Sequence, residues 1–596
     1  MPPTSQELVL RVPRQSFPTG TSSHPPRYQQ LDLSARQIRV LRLLPGWFTA
    51  PIACKLYTVS LDEQPRYEAL SYAWGLPHFT HSIILNGEKT EVTVNLHAAL
   101  RRLRGRFRSR HLWVDALCIN QTDDKEKSHQ VNLMKEIYSK TYSAILWLGD
   151  FLDVQSSNPS SQLAPDATSV ANKVPRDTAL AAFGLLKSMG QNEHYWDRDN
   201  QDAAERRIAD LDSILQLPWW QRIWTVQEAF LPKRAILQCG TMTIPWQKLC
   251  LACKSSETHF AADCCEEGEE DSFLVGLWNK AQGIEYLRNA WPSVERVSVA
   301  ANLFRARQGS DPRDRVYALL GMGSTLSADY SISSHESVFK MSVRSFIAES
   351  GTTSSLLRPS EVDRSPTLPT WVPDFCAGID PTWLGDEVGW LLAYKLFNTS
   401  RSTKSTPNNS TFDHILRLEG FVVDQIVTFG DPLENMANAP EIVAQWQGIV
   451  SAHCAAHSDR YPLGGTYHDA FWRTVMAGMV YDDAEVDGYR RLIAADEANV
   501  RQYWSPDSFL SLWLWGRTRL FLTRTGLIGL GKIGMEVGDS VCVLMGGNMP
   551  FILRAAETSN DDGAHRYKYN GHAYLHGSMD GELVDDNREW EWISLV

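Results

Sequence analysis

The chain has 596 residues, 43% of them hydrophobic and 21% charged, which predicts a globular protein with a substantial apolar core and about two to four domains. A formal net charge of −12 argues against a general nucleic-acid binder, because binding phosphates needs a basic surface. Ten cysteines in so long a chain are too sparse for a disulfide scaffold, and no secretory signal pattern opens the sequence, so a cytoplasmic location is expected.

Residues 1–37 are rich in Pro, Ser, Thr and Gln and predict a disordered N-terminus. "QIRVLRLLPG" then supplies a strand, "ACKLYTVSL" a second and "YEALSYAWG" a third, and "HSIILNGEKTEVTV" reads as a hairpin around Asn86-Gly87. "NLHAALRRLR" reads as a helix. It runs into "RRLRGRFRSR", with six arginines in ten residues, which reads as the solvated end of that helix rather than an anion site, because interleaved aromatics are nearly absent. "LWVDALCINQTDDKEKSHQVNLMKEIY" reads as strand, polar turn and helix, and "SAILWLG" as the next strand. This alternation predicts an α/β layer structure with a mostly parallel sheet over 38–245, interrupted by an inserted loop at 152–175.

Helical periodicity returns in "RDTALAAFGLLKSMG" and "AERRIADLDSILQLPWWQRIWTVQEAFL". Residues 246–515 read as a mainly helical region with some strands, and 516–596 as a small β-rich module of short runs separated by Gly and Asp. "SFLSLWLWGRTRLFL" is broken by Arg517 and Arg519, so no stretch approaches the roughly 18 apolar residues of a membrane span. No internal repeat, heptad array or prion-like tract is present in the sequence.

Two motifs invite misreading. "GLGKIG" (Gly529 to Gly534) matches G-x-G-x-x-G, but an alternating strand follows instead of the helix that would receive a pyrophosphate, so it reads as a turn. Cys250, Cys253, His259 and Cys264 have metal-like spacing. Cys250 and Cys253, however, fit the buried face of a helix, where Cys acts as a small hydrophobe, so no metal site is expected. His453 and His457 lie one helical turn apart without the Glu of H-E-x-x-H.

Three segments place polar residues where the pattern predicts core. "YEALSYAWG" ends its strand on Ser71, Tyr72 and Trp74, just before Gly75. "LWVDALCINQ" ends its strand on Asp115, with Asn120 and Gln121 in the turn beyond. Ligands of open α/β sheets bind beyond the carboxyl ends of the strands, so two such ends would make one wall of a site. Asp115 has two readings: a brace that holds the loop through backbone N–H groups, its carboxylate hydrated or hydrogen-bonded to Asn120 and Gln121, or a ligand contact. In "WWQRIWTVQEAFL", Trp224 and Glu228 are four apart and share a helix face. A Glu beside a tryptophan face would be desolvated and suited to acid/base work; the alternative is a salt bridge to Arg222 or a simple helix-end charge.

These blocks, with "VTVNLHAALRRLR", resemble in order the successive blocks of the fungal HET (heterokaryon incompatibility) domain over residues 65–240. "DPRDRVYALLGM", "LPTWVPDFC", "VGDSVCVLMGGNMPFILR" and "YLHGSMDGEL" are similar to segments that often follow it. The resemblance implies fungal non-self recognition with a cell-death output. HET domains in turn resemble TIR domains, which have a flavodoxin-like fold and whose enzymatic members cleave NAD⁺ at the nicotinamide–ribose bond. That second resemblance implies Glu228 as the catalytic carboxylate, with Ser71, Tyr72, Trp74, Gly75, Asp115, Asn120 and Trp224 about the substrate. It implies no resident cofactor, NAD⁺ being the substrate. The alternative it carries is a non-catalytic adaptor that signals by HET–HET self-association, with no nucleic-acid partner. The sequence leaves the trigger open.

Overall fold

The computed structural model describes residues 28–75, 80–152, 172–196, 200–261, 264–265, 277–357, 361–379, 394–408, 413–433, 438–481, 489–496, 518–556, 565–585 and 587–596. The chain divides into two units, Met1–Glu285 with Ala328–Tyr330, and Tyr286–Ser327 with Ser331–Val596. The expected disorder before residue 28 and the bulk of the loop expected at 152–175 lie outside the described residues.

In the N-terminal unit the apolar runs become β1 (Gln37–Leu43), β2 (Ala53–Ser60), β3 (Glu68–Tyr72), β4 (His81–Leu85) and β5 (Glu88–Val92). They continue as β6 (Arg110–Trp113), β7 (Ser143–Phe151), β8 (Lys173–Val174), β9 (Ala235–Cys239) and β10 (Met242–Pro245). The helices are α1 (Val94–Leu103), α2 (Asp115–Cys118), α3 (Asp124–Lys140), α4 (Arg176–Met189), α5 (Gln201–Leu215), α6 (Trp224–Phe230) and α7 (Trp246–Ala261).

The strand order is β10-β9-β7-β3-β6-β1-β2-β4-β5, with β8 on β7. The sheet is mixed, which corrects the expectation of a mostly parallel one. Its centre, β9-β7-β3-β6, is parallel. Antiparallel pairings flank it: β1 with both β2 and β6, β4 with β5, and β9 with β10. The reason is connection length. Asn86 (φ 52°) and Gly87 (φ 96°) close β4–β5 in two residues, and so short a link joins only antiparallel strands. Parallel strands need a crossover, which α3 supplies between β6 and β7 on the two sides of β3.

In chain order the parallel strands are β3, β6, β7 and β9, so the sheet grows first to one side of β3 and then to the other. That reversal is a topological switch point, and it opens at the carboxyl ends of β3 and its neighbours. Beneath it Trp113, Trp147, Trp219 and Trp220 are fully buried, and Trp113 meets Tyr138 edge-on at 5.7 Å. The arginines after α1 are structural: Arg102 pairs with Asp150 at 2.8 Å, Arg110 with Glu68 at 2.7 Å, and Arg104 donates to Pro51 O at 2.8 Å and Ala50 O at 2.9 Å.

The second unit includes helices α8 (Arg296–Leu303), α9 (His335–Ser350), α10 (Ala439–Ala456) and α11 (Tyr467–Val475). Its main sheet is built from β11 (Leu416–Phe429), β12 (Thr518–Thr523), β13 (Ile528–Lys532), β14 (Ser540–Leu544), β15 (Phe551–Ala555), β16 (Arg566–Leu575) and β17 (Glu591–Leu595). Strands β11-β12-β13-β16-β15-β14 close back onto β11, and β17 lies beside β11 and β16. Register shifts at Val422/Asp424 and Ile426/Thr428 bend β11, so that it serves both β14 and β12.

Most of "GLGKIG" is not the turn read above: Gly529 and Gly531 lie within β13, paired to β12 and β16, and only Ile533 and Gly534 turn. A Cβ at Gly529 would stand 2.3 Å from Tyr574 O, so glycine is needed there for close strand packing. Among the described residues no helix is long and apolar enough to cross a membrane.

Candidate functional site

The three segments singled out from sequence meet at the carboxyl end of β3. A 3-10 turn opened by Pro218 (Pro218–Gln221) leads into α6, whose first residue is Trp224. One turn later Glu228 is buried against β3. Ser71 donates a hydrogen bond to the Glu228 carboxylate, and its Oγ accepts one from Trp219 Nε1 at 2.8 Å. Burial pushes the Glu228 carboxyl up to about 7; the nearby Arg222 guanidinium opposes this, the Asp115 charge adds to it and the Ser71 hydrogen bond opposes it.

Asp115 opens α2 directly after β6. Its Oδ2 accepts from Trp74 Nε1 at 2.7 Å and its Oδ1 from Ala116 N at 2.7 Å. Burial raises its pKa, against the pull of Arg222, Trp74, Ala116 and Tyr72. Arg222 donates to the Tyr72 carbonyl, and its guanidinium carbon lies 5.8 Å from the centre of the Trp74 ring. One cation thus sits close to two carboxyl groups whose pKa values are both raised. Glu228 is poised near neutrality and can hold or release a proton there.

The Asp115 carboxylate does take a backbone N–H of its loop, that of Ala116, but its reach ends there and Glu126 holds the rest. The Asp115 side chain does not reach Asn120 or Gln121; instead Gln121 Nε2 donates to the Asp115 backbone carbonyl at 3.2 Å. Asn120 turns onto its own loop and accepts from Thr122 Oγ1 at 2.8 Å. The brace is Glu126, which accepts from Asn120 N at 2.7 Å and forms a buried two-pronged pair with Arg39 of β1, at 2.6 and 2.9 Å. Arg39 also donates to Cys118 O at 3.1 Å. A carboxylate held by two guanidinium nitrogens fixes the turn more firmly than a single hydrogen bond would.

Ser71, Tyr72, Trp74, Asp115 and Glu228 are therefore brought together, and Trp224, partly buried, packs with Trp74 against the same apolar core. Asn120 stands aside in the loop. Gly75 has a left-handed φ of 73°, and among the described residues only Asn172 Nδ2, at 3.8 Å, comes near where a Cβ would stand. Its requirement is conformational, not spatial.

Sequence reasoning missed several members. Asn95 on α1 donates to Ala73 O at 2.7 Å and accepts from Trp147 Nε1 at 2.9 Å, tying the end of β3 to β7. Its signal was a polar residue on the apolar stripe of α1. Glu126 carried a signal as well: it stands three residues after Asp123, the N-cap of α3, in capping-box spacing. Trp219 carried none, because its NH is told apart from ordinary core only by the Ser71 it finds.

The sequence profile of the Heterokaryon incompatibility protein (HET) family matches residues 67–228, ending on Glu228. The profile of the Het-6 beta-barrel domain matches residues 465–595. Heterokaryon incompatibility protein 6, OR allele, of Neurospora crassa is 24% identical, over 94% of this chain and 96% of its own length. No solved structure matches.

Proposed function

We propose, from the premise that this chain is a fungal HET-domain protein, that it acts in heterokaryon incompatibility, linking non-self recognition to cell death through the carboxyl cluster at the end of β3. The proposed chemistry is hydrolysis of NAD⁺ to nicotinamide and ADP-ribose. Cleavage of an N-glycosidic bond passes through an oxocarbenium-like transition state, which a carboxylate stabilises by charge and by binding ribose hydroxyls. The observation that carries this reading is Glu228, a carboxyl with its pKa pushed up to about 7, set beside Asp115 and Arg222 at a switch point of the sheet. Trp74, which is only partly buried, offers aromatic surface for a nicotinamide or adenine ring, whereas Tyr72 is buried.

A second reading rests on an equally specific fact. Glu228 is only 2% exposed and already hydrogen-bonded to Ser71, as a purely structural carboxyl would be. The domain would then signal through assembly alone. Incubating the purified full chain with NAD⁺, with and without conditions that drive self-association, separates the two. Catalysis predicts released nicotinamide and a loss of about 10²–10⁴ in rate for Glu228→Gln. Full activity in a folded Glu228→Gln variant removes Glu228 from the chemistry. An inert assembled wild type leaves the adaptor reading.

A further inference from the structure

We propose that His194, His259, Cys264 and Cys265 form a zinc site in the N-terminal unit, remote in sequence from every residue of the carboxyl cluster. Each offers one donor atom, and the four donors all lie within 4.8 Å of one another. His194 Nδ1 is 3.2 Å from Cys265 Sγ, and His259 Nδ1 is 3.0 Å from Cys264 Sγ. Zinc bonds of about 2.3 Å to sulfur and about 2.0 Å to nitrogen give a tetrahedron with edges of roughly 3.3–3.8 Å. The cluster needs only small side-chain shifts to surround such an ion. Two imidazoles and two thiols are also the donor set that selects zinc over magnesium or calcium.

The tautomer of His259 is a separate indication. Its Nε2 lies 3.3 Å from Asn192 O, and a carbonyl can only accept, so Nε2 carries the proton. Nδ1 is left as a lone pair directed at Cys264, the state in which a histidine binds a metal while a carbonyl holds its other ring nitrogen. Asn192 is itself pinned: its φ is 63°, and its side-chain oxygen accepts from Ser255 Oγ at 3.1 Å. His259 and Cys265 are buried, whereas His194 is exposed and leaves a way in. The ten cysteines are all in thiol form, so no disulfide competes for the sulfurs.

Binding balances without any oxidant. Two thiols each release one proton, two thiolates and two neutral imidazoles take up Zn²⁺, and the bound group carries no net charge. Neutrality suits a largely buried place. The ion would clamp the loop that follows α4 to the last turn of α7, since His194 stands in the first and His259 in the second. The C-x₂-C-x₅-H-x₄-C spacing holds two of the four donors, His259 and Cys264, whereas Cys250 and Cys253 lie on α7 outside the cluster. His194 carries no local signal that it would fold onto the others.

The test is metal analysis of the purified full chain, followed by Co²⁺ substitution. About one zinc per chain, and Co²⁺ spectra with thiolate-to-metal charge transfer and tetrahedral d–d bands, are expected. Cys264→Ser/Cys265→Ser should abolish both. His194→Ala, at an exposed position, should weaken retention more than about tenfold, while Cys250→Ser should change nothing. Absent stoichiometric metal, a cobalt spectrum without the charge-transfer band, or unchanged metal in the double Cys variant would each overturn the proposal. Should that variant fail to fold, alkylation of wild type decides. Added Zn²⁺ should protect Cys264 and Cys265 from iodoacetamide, and equal labelling with and without metal would overturn it.

Discussion

Burial of the Glu228 carboxyl, only partly offset by the Arg222 guanidinium that it shares with Asp115, makes the stability of the N-terminal unit depend on pH in a definite direction. Folded Glu228 keeps its proton up to about 7, whereas an unfolded Glu releases it near the ordinary 4.5. Between those values the folded state binds more protons than the unfolded state, so stability falls as pH rises through the window. A shift of this size corresponds to a loss on the order of 3 kcal/mol that is complete above the folded pKa. Glu228→Gln keeps a group able to hydrogen-bond Ser71 but removes the titration. Urea unfolding of both proteins at pH 5 and pH 8 should therefore show the variant gaining on wild type as pH rises. Parallel curves would mean that the carboxyl is not desolvated as its surroundings require. Burial drives this effect, and a sequence carries burial only as a pattern. The i, i+4 spacing of Trp224 and Glu228 put the carboxylate on an apolar face, but Ser71, 157 residues before Glu228, could not be assigned to it, nor could the bond from Trp219 to that Ser71 across 148 residues.

At the level of elements, the Arg39–Glu126 pair joins β1 to α3 and to the loop that begins at Asp115. It is buried, two-pronged and further tied to Cys118 O and Asn120 N. Removing one partner strands a charge in the core, so Arg39→Met should cost about 3–5 kcal/mol. Arg39→Met with Glu126→Leu should recover much of that loss, a coupling that a double-mutant cycle measures by denaturant unfolding. Additive losses would reduce the pair to two independent contacts. The glycines of β13 give a sharper contrast. A Cβ at Gly531 meets Met535 Sδ, the movable end of a flexible side chain, whereas one at Gly529 meets the Tyr574 backbone carbonyl. Gly529→Ala should lower the melting temperature of the barrel clearly more than Gly531→Ala, and equal effects would refute the close-approach argument. Elements whose signal is local were legible: the Asn86-Gly87 hairpin, the strand before Asp115, though it ends at Trp113 and Asp115 already opens a helical turn, and the helix carrying Glu228. Pairing was not, because the alternation that suggests a parallel sheet says nothing of β1, which enters between β6 and β2 and turns that flank antiparallel. "GLGKIG" failed for the same reason, since its glycines answer to β12 and β16 rather than to their own neighbours.

For the molecule as a whole, the closure of the barrel decides which fragments can stand alone. The Het-6 beta-barrel profile begins at 465, yet the ring of strands is completed by β11, Leu416–Phe429. That strand pairs with β12, β14 and β17, and β17 otherwise touches the sheet only through its short pairing with β16. A fragment 465–596 would expose the edges of β12 and β14 and leave β17 weakly held, and unpaired edges of apolar strands promote association between chains. Beginning the fragment at 413 restores the ring. The shorter piece should elute as aggregate and show poor amide dispersion by NMR; the longer one should give a cooperative thermal transition. If 465–596 instead folds as a monomer with the same strand content, β11 is an accessory to the barrel and not part of its closure. The distinction bears on function, because an allelic or recognition role assigned to the barrel from fragment experiments holds only if the fragment contains the strand that makes it a barrel.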